Sequence, residues 1–583
     1  MTWLTTIKIE TADWLYNAGI AGMINILREA GFYPNCKNGL EIDSSILADF
    51  SSYYFQYFER RYIDHVSYTY IEKKGQAFIE LDINDWNEKM LDDWNRYIER
   101  TKKYLKSNSY QAAYEIMPNK DVNVLEIEKQ LSKITLKKKQ DISDIYEDVK
   151  KNMELLTALL LFFRLPDVKK YIVAKNVIYT VIDNFWGGVS FLHKSSSKND
   201  MEVEFQSYFV QPVQQYHQEM HAKDKYSCFV CNNSISKPSK PFSFDLAWLN
   251  KMGVDMSRKS SHFWDLNTSA SNICPICNLV YACVPAGFTV LKGQGYFVNC
   301  NSDINQLVKL NNNSEEVTIP DDETIQMLEL RSYYQILEVM KEVQTKQQGR
   351  EIQNIQVVKY SRSDSRVDKM RPYTFNVLSK DKLSVIKKHQ EPLRNLVNKI
   401  VKLHDDSYLN IYQSVLERLY KNKNQFDLIA MLCRSNLAAG SETQMRGIGF
   451  IRTLIFLNNS FLGTLKKGEG DDSMSGYSSW VHRDTIKKIE KAGRALTRAY
   501  TSRNAANKLS GITYRLLNAL KTKDAGRFMD TFAQAHLYAG IIMPTEIIDV
   551  LQDEEKLQTL GYAFIIGLRS VGEEKNGEEK YDE

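Results

Sequence analysis

Four cysteines stand in two matched pairs, Cys228-Phe-Val-Cys231 and Cys274-Pro-Ile-Cys277. A CxxC turn brings two sulfurs together, and two such turns complete a tetrahedral four-sulfur site. The chemistry is structural Zn2+ binding, because four thiolates leave no open position for a substrate or a reactive water. The 42 residues between the pairs exceed a compact zinc ribbon, so the ion closes a long loop that includes the run SHFWDL from Ser261. Redox chemistry would need one pair in a thioredoxin-like setting, and none is evident. Cys283 and Cys300 lie nearby and read as core residues; His221 and His262 are substitute ligands. Eight cysteines in 583 residues are too few for a disulfide scaffold and fit an intracellular protein.

A second chemistry is charge. From Arg483 to Arg527 there are twelve Lys or Arg residues against three Asp or Glu. Lys487, Lys491, Arg494 and Arg498 follow i, i+4, i+7, i+11 spacing and share one helical face, with Ile486, Ile489, Gly493 and Leu496 on an adjacent packing face. Arg503, Lys508 and Arg515 continue the basic run. Such a ridge tracks phosphates through Coulomb attraction and counterion release. It positions a strand without reading its bases. Arg362, Arg366, Lys369 and Arg371 form a second basic group, between two alternating segments that predict a hairpin. The strong sign bias of the first group favours nucleic acid or an acidic partner over a solvated face, and for the second a solvated loop is an equal alternative.

Catalysis finds little support. Gly468-Glu-Gly-Asp-Asp472 is similar to the GGDD signature of palm polymerases and cyclases, in which paired aspartates hold metals between apolar strands. Here Leu465-Lys-Lys467 precedes it and no flanking strand is expected. No P-loop, HExxH or nucleophile triad is present. The expectation is a protein that is not an enzyme.

The elements that must position these groups read as α+β. A net charge of +4, 43% hydrophobic and 25% charged residues are ordinary for a globular chain of two to four domains. The N-terminus lacks a signal-peptide pattern, and the most apolar run, Leu155 to Phe163, is too short to cross a membrane. Ala12 to Gly31 predicts an amphipathic helix whose Gly19, Ala21 and Gly22 permit close packing, and a core helix with a tight neighbour is the plainer reading of it. The aromatic run from Ser51 faces a core, and its Asp64-His65 pair reads as structural. Trp86 to Lys151 predicts helices with solvated faces. Polar linkers are expected at Lys194–Asp200, Asn311–Glu316 and Lys466–Tyr477. After Ser384 the pattern is almost wholly helical, ending in an acidic, disordered tail. The expected domains are a mixed N-terminal domain over 1–200 and 311–383, a zinc-binding insertion at 201–310, a helical region at 384–465 and a C-terminal helical bundle at 474–583.

The segment NKLSGITYRLLNALKTKDAGRFMDTFAQAHLYAG with the later LGYAFIIGLRS resembles the C-terminal helical region of the large subunit of type I-B CRISPR Cascade complexes. The paired CxxC motifs, NFWGGVSFL from Asn184 and LYNAGIAG from Leu15 resemble the CXXC-CXXC branch of that family (the Cas-eight-b type). The resemblance spans nearly the whole chain, in the order of its motifs rather than in any one of them.

It implies a non-catalytic, cytoplasmic prokaryotic protein of antiviral defence, with no membrane partner. Its implied partners are crRNA, target double-stranded DNA with its displaced single strand, Cas-five, Cas-six and Cas-seven type subunits, and the helicase-nuclease Cas-three. The implied role is recognition of the protospacer-adjacent motif and help in opening the duplex, with the sequence itself read by the guide. Asn184, Trp186, Gly187, Gly188 and Ser190 are the residues expected to read the motif or wedge the duplex, since paired glycines let backbone approach a base edge and an apolar ring can prop open a step. A tight turn with a core Trp is the alternative. The family also implies a small subunit made by internal translation. Met474 is the expected start, because Gly470-Asp471 can be encoded by a ribosome-binding sequence; Met431 and Met445 compete. A zinc-stabilised scaffold that binds only protein is the remaining reading.

Overall fold

Asp13 opens the first helix, α1 (Trp14–Glu29), by accepting from the backbone N–H of Leu15 at 2.8 Å and of Tyr16 at 3.3 Å. Every residue from Trp14 to Ile24 is buried, as are Ile26 and Leu27. The helix is thus the core helix with a tight neighbour, buried on every side. The structure is a computed structural model. It describes residues 6–569 apart from 38, 83–85, 137–141, 197, 220, 222–223, 237–243, 253–271, 292, 302, 312–325, 328, 331–332, 334–354, 362–372, 378–379, 398, 403–407, 439–440 and 468–479. The architecture is α+β, mostly helical with small antiparallel sheets. It divides into two compact units, Met1–Asn376 and Val377–Glu583.

In the first unit, β1 (Thr6–Ile9) and β2 (Leu40–Asp43) pair as an antiparallel ribbon on either side of α1. Helix α2 (Phe50–Tyr62) buries Tyr54, Phe55, Tyr57, Phe58 and Tyr62, as its aromatic pattern predicts. The Asp64 carboxylate pairs with Lys73 at 2.9 Å, a structural use. The apolar run Leu155–Phe163 ends a helix, Tyr146–Phe163, with Leu156, Leu159, Leu160, Phe162 and Phe163 buried. Helix α3 (Pro166–Thr180) follows.

The first cysteine pair lies in the turn of a short hairpin, β3 (Tyr226–Ser227) with β4 (Ser234–Ile235), and the second at the start of helix α4 (Pro275–Ala282), which is followed by α5 (Val284–Gly287). The predicted glycines of α1 meet these helices backbone to backbone. A Cβ on Gly19 would lie 2.3 Å from the Val280 carbonyl oxygen, and one on Gly22 2.0 Å from that of Cys283. Reciprocally, a Cβ on Gly287 would lie 2.0 Å from the Ala18 oxygen. Helix-end carbonyls this deep need donors. Tyr54 and Tyr57 donate to the carbonyls of Ala282 and Ala286, both at 3.1 Å, and Tyr62 to that of Phe288 at 3.3 Å.

The chain then forms a four-stranded sheet of order β5 (Thr289–Leu291), β6 (Gln294–Asn299), β7 (Gln356–Ser361) and β8 (Tyr373–Val377). Strand β6 is antiparallel to β7, from Gln294↔Ser361 to Asn299↔Gln356. Strands β7 and β8 are neighbours in this sheet and fall on the two segments expected to form a hairpin. The linker expected from Asn311 starts too early. Asn311 is buried, receives the N–H of Val298 at 2.8 Å and donates to the Val298 carbonyl at 2.7 Å, so it pins β6.

The second unit opens with two helices, Lys380–Lys388 and Gln390–Leu396, followed by a hairpin that the sequence reading missed, β9 (Ile400–Lys402) with β10 (Tyr408–Asn410). Strands of three residues carry too little alternation to register. The rest is helical: α6 (Phe426–Ala438), α7 (Ser441–Lys467), α8 (Arg483–Ser502), α9 (Leu509–Lys521), α10 (Ala525–Ala539) and α11 (Glu554–Arg569). Helix α8 crosses α11 at two glycines. A Cβ on Gly493 would lie 2.3 Å from the Phe564 oxygen, and one on Gly567 2.0 Å from the Glu490 oxygen.

Candidate metal centre and nucleic-acid interface

The hairpin turn after β3 presents the first cysteine pair. The Cys228 N–H donates to Asn233 O at 2.8 Å, and the Asn232 N–H returns to Cys228 O at 2.8 Å. Asn232 makes this possible with a left-handed backbone, φ +60°. Cys274 is the N-cap of α4, followed by Pro275 at the first helical position, where a missing N–H costs nothing. The Cys274 sulfur accepts the Cys277 N–H at 3.5 Å, and the helix N-terminus favours its thiolate. Hydrogen bonds from Phe229 N to Asn272 O at 3.2 Å and between Phe244 and Ile273 tie the two halves together.

All four sulfurs lie within 4.8 Å of one another, with Cys231 and Cys274 3.5 Å apart. Tetrahedral Zn–S bonds of about 2.3 Å require sulfurs about 3.8 Å apart, so an ion fits. Cys228, Cys274 and Cys277 are buried; Cys231 faces solvent. Hydrogen bonding among the thiols holds Cys228 and Cys231 below the ordinary thiol range and pushes Cys274 and Cys277 above it. Four thiols this close cannot all ionise without a cation. These residues supply the only grouping of metal-ligating side chains found among the described residues.

His221 does not stand in for any of the four cysteines. Its Nδ1 faces Asp224 at 2.9 Å, its Nε2 faces Tyr216 O at 2.7 Å, and its ring stacks on Tyr216. His262 and the run from Ser261 lie outside the described residues. Cys283 and Cys300 are buried core residues, and burial pushes the Cys283 thiol up. The sequence reading missed the centre's neighbour from α1: the Tyr16 hydroxyl stands 3.3 Å from the Cys277 sulfur. Nothing local in the sequence signals a contact across 261 positions.

The residues expected to read the motif form a tight turn. The Trp186 indole is fully buried against Phe191, Phe209 and Trp248, with ring centroids 5.2–5.4 Å away. Asn184 is buried too, its amide donating to Thr180 O and its carbonyl accepting from Tyr360 Oη at 2.7 Å. Gly187 N–H donates to Trp248 O at 3.0 Å, and Ser190 is buried with φ +50°. Of the five, Gly188 is exposed, with φ +80°. Here the indole anchors the turn, since wedging a base step would require it to leave this cluster. Lys251 lies beside the turn and binds Asp183 through its carbonyl at 2.6 Å and its carboxylate.

The basic ridge lies on α8 as spaced, with Ile486, Ile489, Gly493 and Leu496 buried beneath it. Lys487, Lys491 and Arg498 are exposed. Arg494 is occupied differently: it pairs at 3.0 Å with buried Glu490, which Arg452 also grips through both carboxylate oxygens. Arg503 donates to Tyr538 O at 3.1 Å, at the C-terminus of α10. Lys508 stands 4.5 Å from the Tyr538 ring centroid, and Arg515 is exposed. Arg362, Arg366, Lys369, Arg371, Met474 and the acidic Gly468–Asp472 motif lie outside the described residues, as does the acidic tail. No helix among the described residues is long and apolar enough to cross a membrane.

Residues 221–289 match a family of CRISPR-associated proteins, Cas_CXXC_CXXC. The matched span contains both cysteine pairs, α4 and α5. No curated protein and no solved structure matches the chain. The family match and the four-sulfur geometry together support a CRISPR-associated protein with a metal site.

Proposed function

We propose that the chain is the non-catalytic large subunit of an RNA-guided CRISPR surveillance complex of type I-B, with structural Zn2+ on Cys228, Cys231, Cys274 and Cys277. The observation that carries this reading is the closed four-sulfur cluster inside the span that matches CRISPR-associated proteins. The exposed cations of α8 would hold nucleic-acid backbone, and the Gly187–Gly188 turn with Lys251 would approach the flanking motif of duplex DNA. Guide pairing would supply sequence recognition. The complex would contain crRNA, Cas-five, Cas-six and Cas-seven type subunits and a small subunit begun at Met474, and would recruit the helicase-nuclease Cas-three.

The test is co-expression with the neighbouring genes and purification through this chain. The expected product contains several protein subunits and one class of small RNA with a constant flank. Recovery of protein partners without RNA would favour the protein-only scaffold instead. Nucleotide products made by the purified chain with Mg2+ would overturn the non-catalytic assignment.

A further inference from the structure

We infer that Tyr16 is an outer-sphere partner of the metal centre, donating its hydroxyl hydrogen to the Cys277 thiolate, and that the bound ion thereby seats the first turn of α1. This rests on the reading of the four cysteines as a metal centre. Tyr16 is buried, with its oxygen 3.3 Å from the Cys277 sulfur. A metal-bound thiolate only accepts, so ion binding fixes the direction of this bond.

A second contact grips the same turn. Tyr281 lies one helical turn beyond Cys277 on α4, so both side chains share a face. Its ring packs edge-on against Tyr16 at 5.2 Å, and its hydroxyl donates to Asp13 Oδ2 at 3.1 Å. The other Asp13 oxygen caps α1. The next residue carries the seating further. Asn17, fully buried, donates to Asn299 at 3.0 Å and Asn301 at 2.7 Å, and Asn299 donates to Gln356 at 3.3 Å. Asn299 ends β6 and Gln356 begins β7, the strand that leads into the basic segment 362–371. The metal therefore organises more than its own loop.

Outer-sphere partners of ligands typically contribute tenfold to a hundredfold in metal affinity. Tyr16→Phe keeps the ring and removes only the oxygen. In the full chain it is expected to release Zn2+ to a chromophoric chelator about ten- to a hundredfold more readily. With Co2+ in the site, the sulfur-to-metal charge-transfer band is expected to move to lower energy, because the thiolate loses a hydrogen bond. Amide exchange in Trp14–Leu27 and β6 is expected to accelerate. Tyr281→Phe is expected to accelerate exchange in α1 with the Co2+ band unchanged, because it leaves the sulfur untouched. A Tyr16→Phe chain with the parent's band and zinc release overturns the inference alone. A parent chain that takes up neither ion overturns the metal reading and the inference with it.

Discussion

Cys274 holds two positions at once: it completes the sulfur cluster and caps α4. Cys274→Ser keeps a cap but loses a ligand. Ion binding is folding energy where the site is absent from the unfolded chain, so the loss should exceed the ~1 kcal/mol of a missing cap. Calorimetry is expected to show a lower Tm for the first unit, and a chelator should lower the parent's Tm but leave the variant's unchanged. A variant with the parent's Tm and zinc content would contradict this. Glu490 makes the same point for charge, being buried between Arg452 and Arg494. Glu490→Gln leaves two guanidinium groups facing each other without their carboxylate. Denaturant unfolding should show the second unit weakened by about 3 kcal/mol. The cysteine pairs were legible from spacing alone, because ligand spacing is a local property. Tyr16 and Glu490 were not, since their partners lie on other helices. Arg494 read as part of the exposed ridge for the same reason.

At the scale of elements, α1 was legible as a core helix with a tight neighbour from Gly19 and Gly22, but its burial on every side was not. Asn17, Gly19 and Gly22 lower its apparent hydrophobicity while serving its deepest contacts. Gly287→Ala tests that packing. Its methyl would enter the Ala18 carbonyl, and overpacking of this kind costs about 1–3 kcal/mol. A drop in Tm with zinc content retained is expected; an unchanged Tm would mean that the helices separate freely. In the second unit, His389 joins the chain to α7 through Ser460, with Nε2 and Oγ 2.8 Å apart. Burial, helped by Lys388 and Arg483, lowers its pKa from 6.5 to about 4. The folded imidazole therefore refuses a proton that the unfolded chain accepts. Stability should be full above pH 6.5 and fall as pH drops towards 4, by about 3 kcal/mol if this group acts alone. Denaturant midpoints across that window should fall less steeply for His389→Gln than for the parent. Parallel curves would remove His389 from the account.

At the scale of the whole molecule, the small net charge conceals a local concentration of cations. The closed sulfur cluster lies in the first unit and the exposed cations of α8 in the second. The first was visible as ligand spacing and the second as a shift in charge along the chain. The aromatic cluster that buries Trp186 was not, because it gathers rings from distant segments. If α8 holds phosphates, replacing Lys491 and Arg498 with Gln should reduce the salt slope of DNA binding by about 1 per cation removed, with the fold unchanged. An unaltered slope would move the interface elsewhere. The larger account depends on the ion, and X-ray absorption at the zinc edge of the purified full chain tests it most directly. The expected result is four sulfur neighbours at about 2.3 Å with no oxygen or nitrogen in the shell. A shell of two or three sulfurs completed by water, or a chain purified without zinc and indifferent to it, would contradict the closed structural centre on which the proposed function stands.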